Sequence, residues 1–132
     1  MRPARRNVLG RARVPRTPGL MNKAEARYAL ELTKQRQDGV ISDWAYEPEK
    51  LRLADKTFYT PDFRVILPDG CVEFHEVKVY WKRAGRVGWE DDARVKIKVA
   101  AELHPYVFVA VWLGANGYEY EYIGSPAPGA TP

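Results

Sequence analysis

A chain of 132 residues, 45% of them hydrophobic and 12% aromatic, can bury one core but not two, so a single domain is expected. No run approaches the roughly 20 apolar residues that cross a bilayer, and the opening MRPARRNVLG carries arginines without an apolar block behind them, so neither a membrane span nor a secretion signal is expected. The net charge of +4 is uneven: residues 1–20 hold six arginines, Arg2, Arg5, Arg6, Arg11, Arg13 and Arg16, and no acid, leaving 15 basic against 17 acidic residues in a body near −2.

An arginine-rich arm on a mildly acidic body suits a protein that meets a polyanion while its body holds carboxylates, although a solubilising tail has the same composition. Cys71 is the only cysteine and His75 and His104 are the only histidines. That excludes an internal disulfide and a zinc-type Cys/His cluster, and suits a reducing cytoplasm. A metal here needs oxygen ligands, which favours magnesium or manganese.

Residues 1–20 mix arginine with proline and glycine and show no apolar period, so they read as a flexible arm, with Arg5, Arg6, Arg11 and Arg13 as its phosphate-binding candidates. Residues 124–132 read as a flexible tail, leaving residues 21–123 as the domain. From the candidate N-cap Asn22, the run NKAEARYALELTKQRQDG puts Ala24, Tyr28, Ala29 and Leu32 on one stripe, and Gly39 is the stop signal of this first helix. Three segments of alternating polarity follow, WAYEPEKLRL, KTFYTPDFRVIL and CVEFHEVKVYW, with turn signals at Ala54-Asp55 and Pro68-Asp69-Gly70. They predict an antiparallel meander of three strands, in which Pro48 and Pro61 mark starts, edges or bulges.

After the basic loop KRAGRVG, the segment WEDDARVKIKVAAELHP predicts a second helix with Val95, Val99 and Leu103 as its apolar repeat, ended by Pro105. YVFVAVWL reads as a strand buried on both faces beside a helical crossover, and GYEYEYI as a further edge strand. The expected fold is a mixed α/β (α+β) domain: a mixed central sheet with an antiparallel meander, flanked by helices.

Candidate chemistry lies in Thr60-Pro61-Asp62-Phe63 and Glu76-Val77-Lys78. Glu76 and Lys78, two apart on a strand, share a face with Phe74. Counting outward from the turn at residues 68–70 brings Asp62 level with Glu76. Two carboxylates that hold a divalent cation, with a lysine beside them, can cleave a phosphodiester. The same residues also read as a solvated cross-strand ion pair and a turn acid.

Pro61-Asp62 with Glu76-Val77-Lys78, on a meander flanked by helices, resembles the PD-(D/E)xK nuclease superfamily. MNKAEARYALEL, EPEKLRLADKTFYTPDFRVILPDG, EFHEVK and DDARVKIKVAAELHPYVFVAVW resemble a group of small phage-borne proteins, grouped as a domain of unknown function, within that superfamily. The similarity runs from residue 21 to about 113.

The resemblance implies a restriction-endonuclease-like αβββαβ core and a magnesium- or manganese-dependent DNA endonuclease. Its setting would be phage replication or recombination, in the cytoplasm of an infected or lysogenic bacterial host, with branched or structured DNA as substrate. It implies that Asp62 and Glu76 bind the metal, that Lys78 is the catalytic lysine, that the Val77 carbonyl is a further ligand, and that Glu25 on the first helix completes the site. Glu25 also reads as a helix-start acid. Val79-Tyr80-Trp81 stands where such proteins commonly carry glycine or a small residue, which keeps a non-catalytic DNA-binding module in view.

His75 alternates away from Glu76 and reads as a hydrogen-bonded structural residue, and His104 as a helix-end residue able to meet the last carbonyls. Lys82, Arg83 and Arg86, interleaved with Trp81 and Trp89, suit a grip on a sugar-phosphate backbone, although such tryptophans are as often core anchors. Lys96 reads as a phosphate contact or as part of a solvated helix face, and the edge strand from Tyr118 to Tyr122 leaves a two-fold homodimer open.

Overall fold

In the computed structural model, which describes residues 19–124, the first helix begins where its cap is predicted. Helix α1 (Lys23–Gln37) is entered through a reciprocal box: the Asn22 side chain accepts from the Glu25 N–H at 2.8 Å, and the Glu25 carboxylate accepts from the Asn22 N–H at 3.0 Å. Two donors that a helix start leaves without partners are thereby satisfied. Tyr28, Ala29 and Leu32 form the buried stripe, joined by Glu25. Gly39, at φ +77°, takes the left-handed conformation that ends the helix.

The strands are β1 (Asp43–Tyr46), β2 (Leu51–Ala54), β3 (Thr57–Tyr59), β4 (Phe63–Ile66), β5 (Val72–Val77), β6 (Tyr80–Trp81) and β7 (Arg86–Val87). Helix α2 (Asp91–Leu103), β8 (Val107–Gly114) and β9 (Gly117–Ile123) follow. A five-stranded sheet has the order β1-β4-β5-β8-β9, in which β5 and β8 run parallel and the other neighbours antiparallel. The fold is therefore mixed α+β, with a mixed central sheet and two helices.

The meander differs from the three segments expected. WAYEPEKLRL breaks into β1 and β2 at Glu47-Pro48, where Glu47 has φ +44°, and KTFYTPDFRVIL breaks into β3 and β4 at Thr60-Pro61-Asp62. Proline cannot donate to a ladder, and one stands at each break. The segments β2 and β3 pair only with each other, through a turn at Asp55-Lys56, so that β1 pairs with β4 across this inserted hairpin.

Two apolar layers cover the sheet. On one face Tyr28, Leu32, Ile41, Phe63, Val65 and Val111 pack under α1; on the other Phe74, Phe108 and Ala110 meet Ile97 and Ala100 of α2 and Leu51 and Tyr59 of the hairpin. Strand β8 is buried on both faces from Phe108 to Val111, as its apolar run predicts. Its parallel pairing with β5 needs the long crossover that carries β6, β7 and α2. Strand β9 takes the sheet edge, also as predicted.

Helix α2 uses a different face from the one its valines suggest. Val95 is 60% and Leu103 56% exposed, whereas Ile97, Ala100 and Ala101 are buried. At about 100° per residue the two stripes lie on opposite sides, and the two alanines carry too little apolar area to compete in a hydrophobic pattern. His104 also departs from expectation: its Nε2 meets the Arg52 carbonyl at 2.9 Å, which ties the helix end to β2 instead of capping its own carbonyls. Ile97→Ala is expected to cost about 2–5 kcal/mol and Val95→Ala no more than about 0.5 kcal/mol. Urea unfolding of the two variants reads the difference, and equal losses would assign α2 the other face.

Candidate functional site

The site begins where the ladder between β4 and β5 ends. Phe63 pairs with His75, and one further step in that register sets Asp62 opposite Glu76. Phe63 and His75 face α1, so by alternation Asp62 and Glu76 face the other side, toward the inserted hairpin and α2. Directly opposed residues on antiparallel strands have Cβ atoms about 4.5–5.5 Å apart. The register thus carries Asp62 toward Glu76, and the charges of both acids reach the Tyr59 hydroxyl.

Each acid is fixed by specific donors. Asp62 is 2% exposed, and its Oδ2 accepts the Val77 N–H at 2.8 Å, while its carbonyl accepts the Glu47 N–H at 2.7 Å. Its side chain is thus bound to β5 and its backbone to the strand on the other side. Glu76 Oε1 accepts the Tyr59 hydroxyl at 2.8 Å. Burial, then the charge and hydrogen bond of Glu76 and the charge of Asp62, push that hydroxyl well above the usual phenol range. Tyr59 therefore stays a donor.

Lys78 continues β5, with its N–H on the Val111 carbonyl at 2.8 Å. Its Nζ lies 3.5 Å from Glu76 Oε2 and 4.8 Å from the centroid of the Trp89 ring. The Lys78 and Glu76 side chains are 12% and 13% exposed. An ion pair so little hydrated holds its geometry better than a surface pair, and the indole adds a cation–π contact to the ammonium.

Glu25 is 3% exposed at the start of α1, where its Oε1 takes both the Asn22 N–H and, at 2.9 Å, the Tyr46 hydroxyl. It thus approaches β1 from the α1 face of the sheet, opposite the face to which Asp62 and Glu76 turn. His75, as expected, faces away from the acids: its Nδ1 is 2.7 Å from the Tyr28 hydroxyl and its Nε2 2.8 Å from Glu73. Among the described residues, no three His, Cys, Asp or Glu side chains gather closely enough to hold a metal ion by themselves. The protein donors on offer at the acid pair are two carboxylates and the backbone of Val77, between Glu76 and Lys78.

Of the basic candidates, Arg5, Arg6, Arg11 and Arg13 lie outside the described residues. Lys82, Arg83 and Arg86 are exposed on the β6–β7 ribbon. The two tryptophans divide the roles foreseen for them. Trp81 is 49% exposed, with the Arg86 guanidinium 5.5 Å from its ring centroid, whereas Trp89 is half-buried against the α2 core. Gly88 permits this packing, because a Cβ there would stand 2.7 Å from the Trp81 ring. Lys96 is half-buried on the flank of α2 away from Arg94, and it is Arg94 that lies over the Trp89 ring, at 4.9 Å, while paired with Glu121 at 3.0 Å.

Four contributors were not read from the chain: Tyr59, Tyr46, Glu47 and Arg94. Tyr59 and Glu47 border the two proline breaks, and the inserted hairpin that brings Tyr59 back over β5 leaves no local signal. Arg94 was hidden in the acidic start of α2.

No protein family matches the chain, and no similar curated protein or solved structure is found. No helix among the described residues is long and apolar enough to cross a membrane.

The tyrosines make stability depend on alkaline pH. Tyr59 and Tyr28 both titrate above the ordinary value of 10.0 in the folded chain, chiefly through burial. A raised folded pKa means that the folded state keeps protons the unfolded state has released, so the contribution is whole below pH 10 and is lost as pH rises beyond it. Urea midpoints are expected to fall between pH 9 and about 11, and less steeply in Tyr59→Phe. An equal fall in that variant would remove Tyr59 from the account.

Proposed function

We propose that this chain is a magnesium-dependent endodeoxyribonuclease of the PD-(D/E)xK kind, hydrolysing phosphodiester bonds at Asp62, Glu76 and Lys78. The observation that carries the reading is that Asp62, one residue before β4, is bonded through Oδ2 to the Val77 N–H beside Glu76, with the Lys78 ammonium 3.5 Å from Glu76. The order α1, β1, β4, β5, α2, β8 supports the αβββαβ core that goes with it, once the two hairpin ribbons are set aside. Branched or otherwise structured DNA of phage replication or recombination is the substrate proposed.

The donor set fits magnesium. That ion keeps several waters and is commonly held by one or two carboxylates, so the absence of a third acid from the cluster does not count against it, and manganese shares its taste for oxygen. The Val77 carbonyl is the further ligand of this reading, and Glu25, reaching in from the α1 face, its further acid. When bound, the cation supplies Lewis-acid polarisation of the scissile phosphate.

The residues of the chain do the positioning. Tyr59 holds one Glu76 oxygen, which turns the other toward Lys78. The Val77 N–H holds Asp62 by Oδ2. Lys78, steadied by the Trp89 ring, directs a positive charge and its N–H donors at a phosphate oxygen or the attacking water. The exposed cations of the β6–β7 ribbon contact neighbouring phosphates.

A second reading, a DNA-binding module without cleavage, is favoured by the bulky exposed Val79-Tyr80-Trp81 that follows the lysine. Calorimetric titration with magnesium separates them, since a binder need not take up the cation. On duplex, nicked, flapped and four-way DNA, Asp62→Ala and Lys78→Ala are expected to lower the cleavage rate by at least about 10²-fold, and a chelator to abolish it. Cleavage that survives Asp62→Ala in magnesium would end the nuclease reading. Glu25→Gln keeps the side-chain acceptor of the capping box but not the charge, so unchanged melting with lost cleavage would assign Glu25 to the metal; unchanged cleavage would leave it as a cap.

A further inference from the structure

A cleft of about 530 Å³ opens at the carboxyl ends of the parallel strands β5 and β8, between the first half of α1 and the β8–β9 turn. Its described lining includes three cations, Arg27, Lys78 and Lys82, and no carboxylate. That imbalance is notable in a body with more acids than bases. Two rings, Tyr80 and Tyr118, also line it. Tyr118 is braced from behind by Tyr28, edge to face at 5.0 Å, and lies within electrostatic reach of Arg27. Tyr80 is 40% exposed on β6.

The volume falls in the range of small-ligand sites, about 300–1,000 Å³. Cations with aromatic rings recognise a group that is both anionic and flat. A nucleotide outside a double helix is such a group: its phosphate meets the cations and its exposed base face stacks on a tyrosine. A paired base cannot do so, because its faces are covered by its neighbours. Lys78 joins the two places, since the residue lines the cleft and its Nζ stands 3.5 Å from Glu76. The cleft therefore adjoins the end of β5 that carries Glu76.

We propose that this cleft receives an unpaired nucleotide of the DNA strand next to the scissile phosphate, so that the substrates are DNAs with a single-stranded element adjoining duplex. The proposal rests on the nuclease reading for its position relative to cleavage, but not for its binding chemistry.

The test measures anisotropy of a fluorescein-labelled oligothymidylate, a blunt duplex of the same length and an oligouridylate, without divalent cation so that nothing is cut. The full chain is compared with Arg27→Gln, Tyr80→Ala and Ala115→Trp, the last placing a bulky ring at the cleft mouth; thermal melting checks that each variant folds. The single DNA strand is expected to bind more tightly than the blunt duplex. Each variant should weaken that binding about ten-fold, in line with the usual worth of a base–aromatic stack, and move duplex binding by less than about two-fold. Equal affinity for single strand and duplex, unchanged binding in all three folded variants, or tighter binding of the RNA strand would overturn the proposal. Cleavage of flapped DNA in magnesium keeps the two readings apart. If the unaltered chain cuts nothing while the variants lose single-strand binding, the nuclease reading falls and the cleft stands; if it cuts and the variants bind as before, the cleft falls alone.

Discussion

Asp62 bound to the Val77 N–H holds the rest of the site in place. A buried carboxylate without donors would be expelled or neutralised, at a cost of several kcal/mol. This one is satisfied by the backbone of the neighbouring strand, at a point where the β4–β5 ladder has already ended. The bond therefore does the work of another ladder rung while leaving the strand free to turn at Pro61. Because Asp62 is also joined to Glu47 through its carbonyl, three strands are held level where Glu76 and Lys78 emerge.

The inserted hairpin gives the other half of the construction. Its burial of Leu51 and Tyr59 against Phe108 and α2 is ordinary apolar packing, but it sets one hydroxyl at Glu76. Packing energy and site geometry are supplied by the same residue. Trp89 repeats the pattern on the lysine side, as a partly buried residue against the α2 core whose ring meets both Lys78 and Arg94.

Those features that local physics determines could be read from the chain. Asn22 announces an N-cap and Glu25 a helix-start acid, Gly39 a stop, and Phe108 to Val111 a strand covered on both sides. The shared face of Glu76 and Lys78 follows from the period of two, and the approach of Asp62 from counting back across the turn at residues 68–70. The breaks at Pro48 and Pro61 were harder, because alternation continues through both and only the burial of Leu51 and Tyr59 on α2 separates β2 and β3 from the sheet. The face of α2 was misread for a related reason: Val95 and Leu103 are the larger hydrophobes, but helix and sheet approach through Ala100 and Ala101. Tyr59 and Arg94 act on the site from segments distant along the chain, which no local pattern reports.

The chain of Tyr28, His75 and Glu73 has a consequence for how α1 sits. These polar groups, one from the helix and two from β5, meet inside an otherwise oily layer through bonds of 2.7 and 2.8 Å. Greasy side chains alone tolerate sliding, since one contact replaces another at similar energy. A helix displaced by a single turn, about 5.4 Å, would break the Tyr28–His75 bond and leave the phenol and the imidazole Nδ1 stranded, at about 1–3 kcal/mol apiece, while the His75–Glu73 pair, both on β5, would persist. The triad thus works as a dowel, giving α1 one seating on the sheet and its amino end one position beside Tyr46.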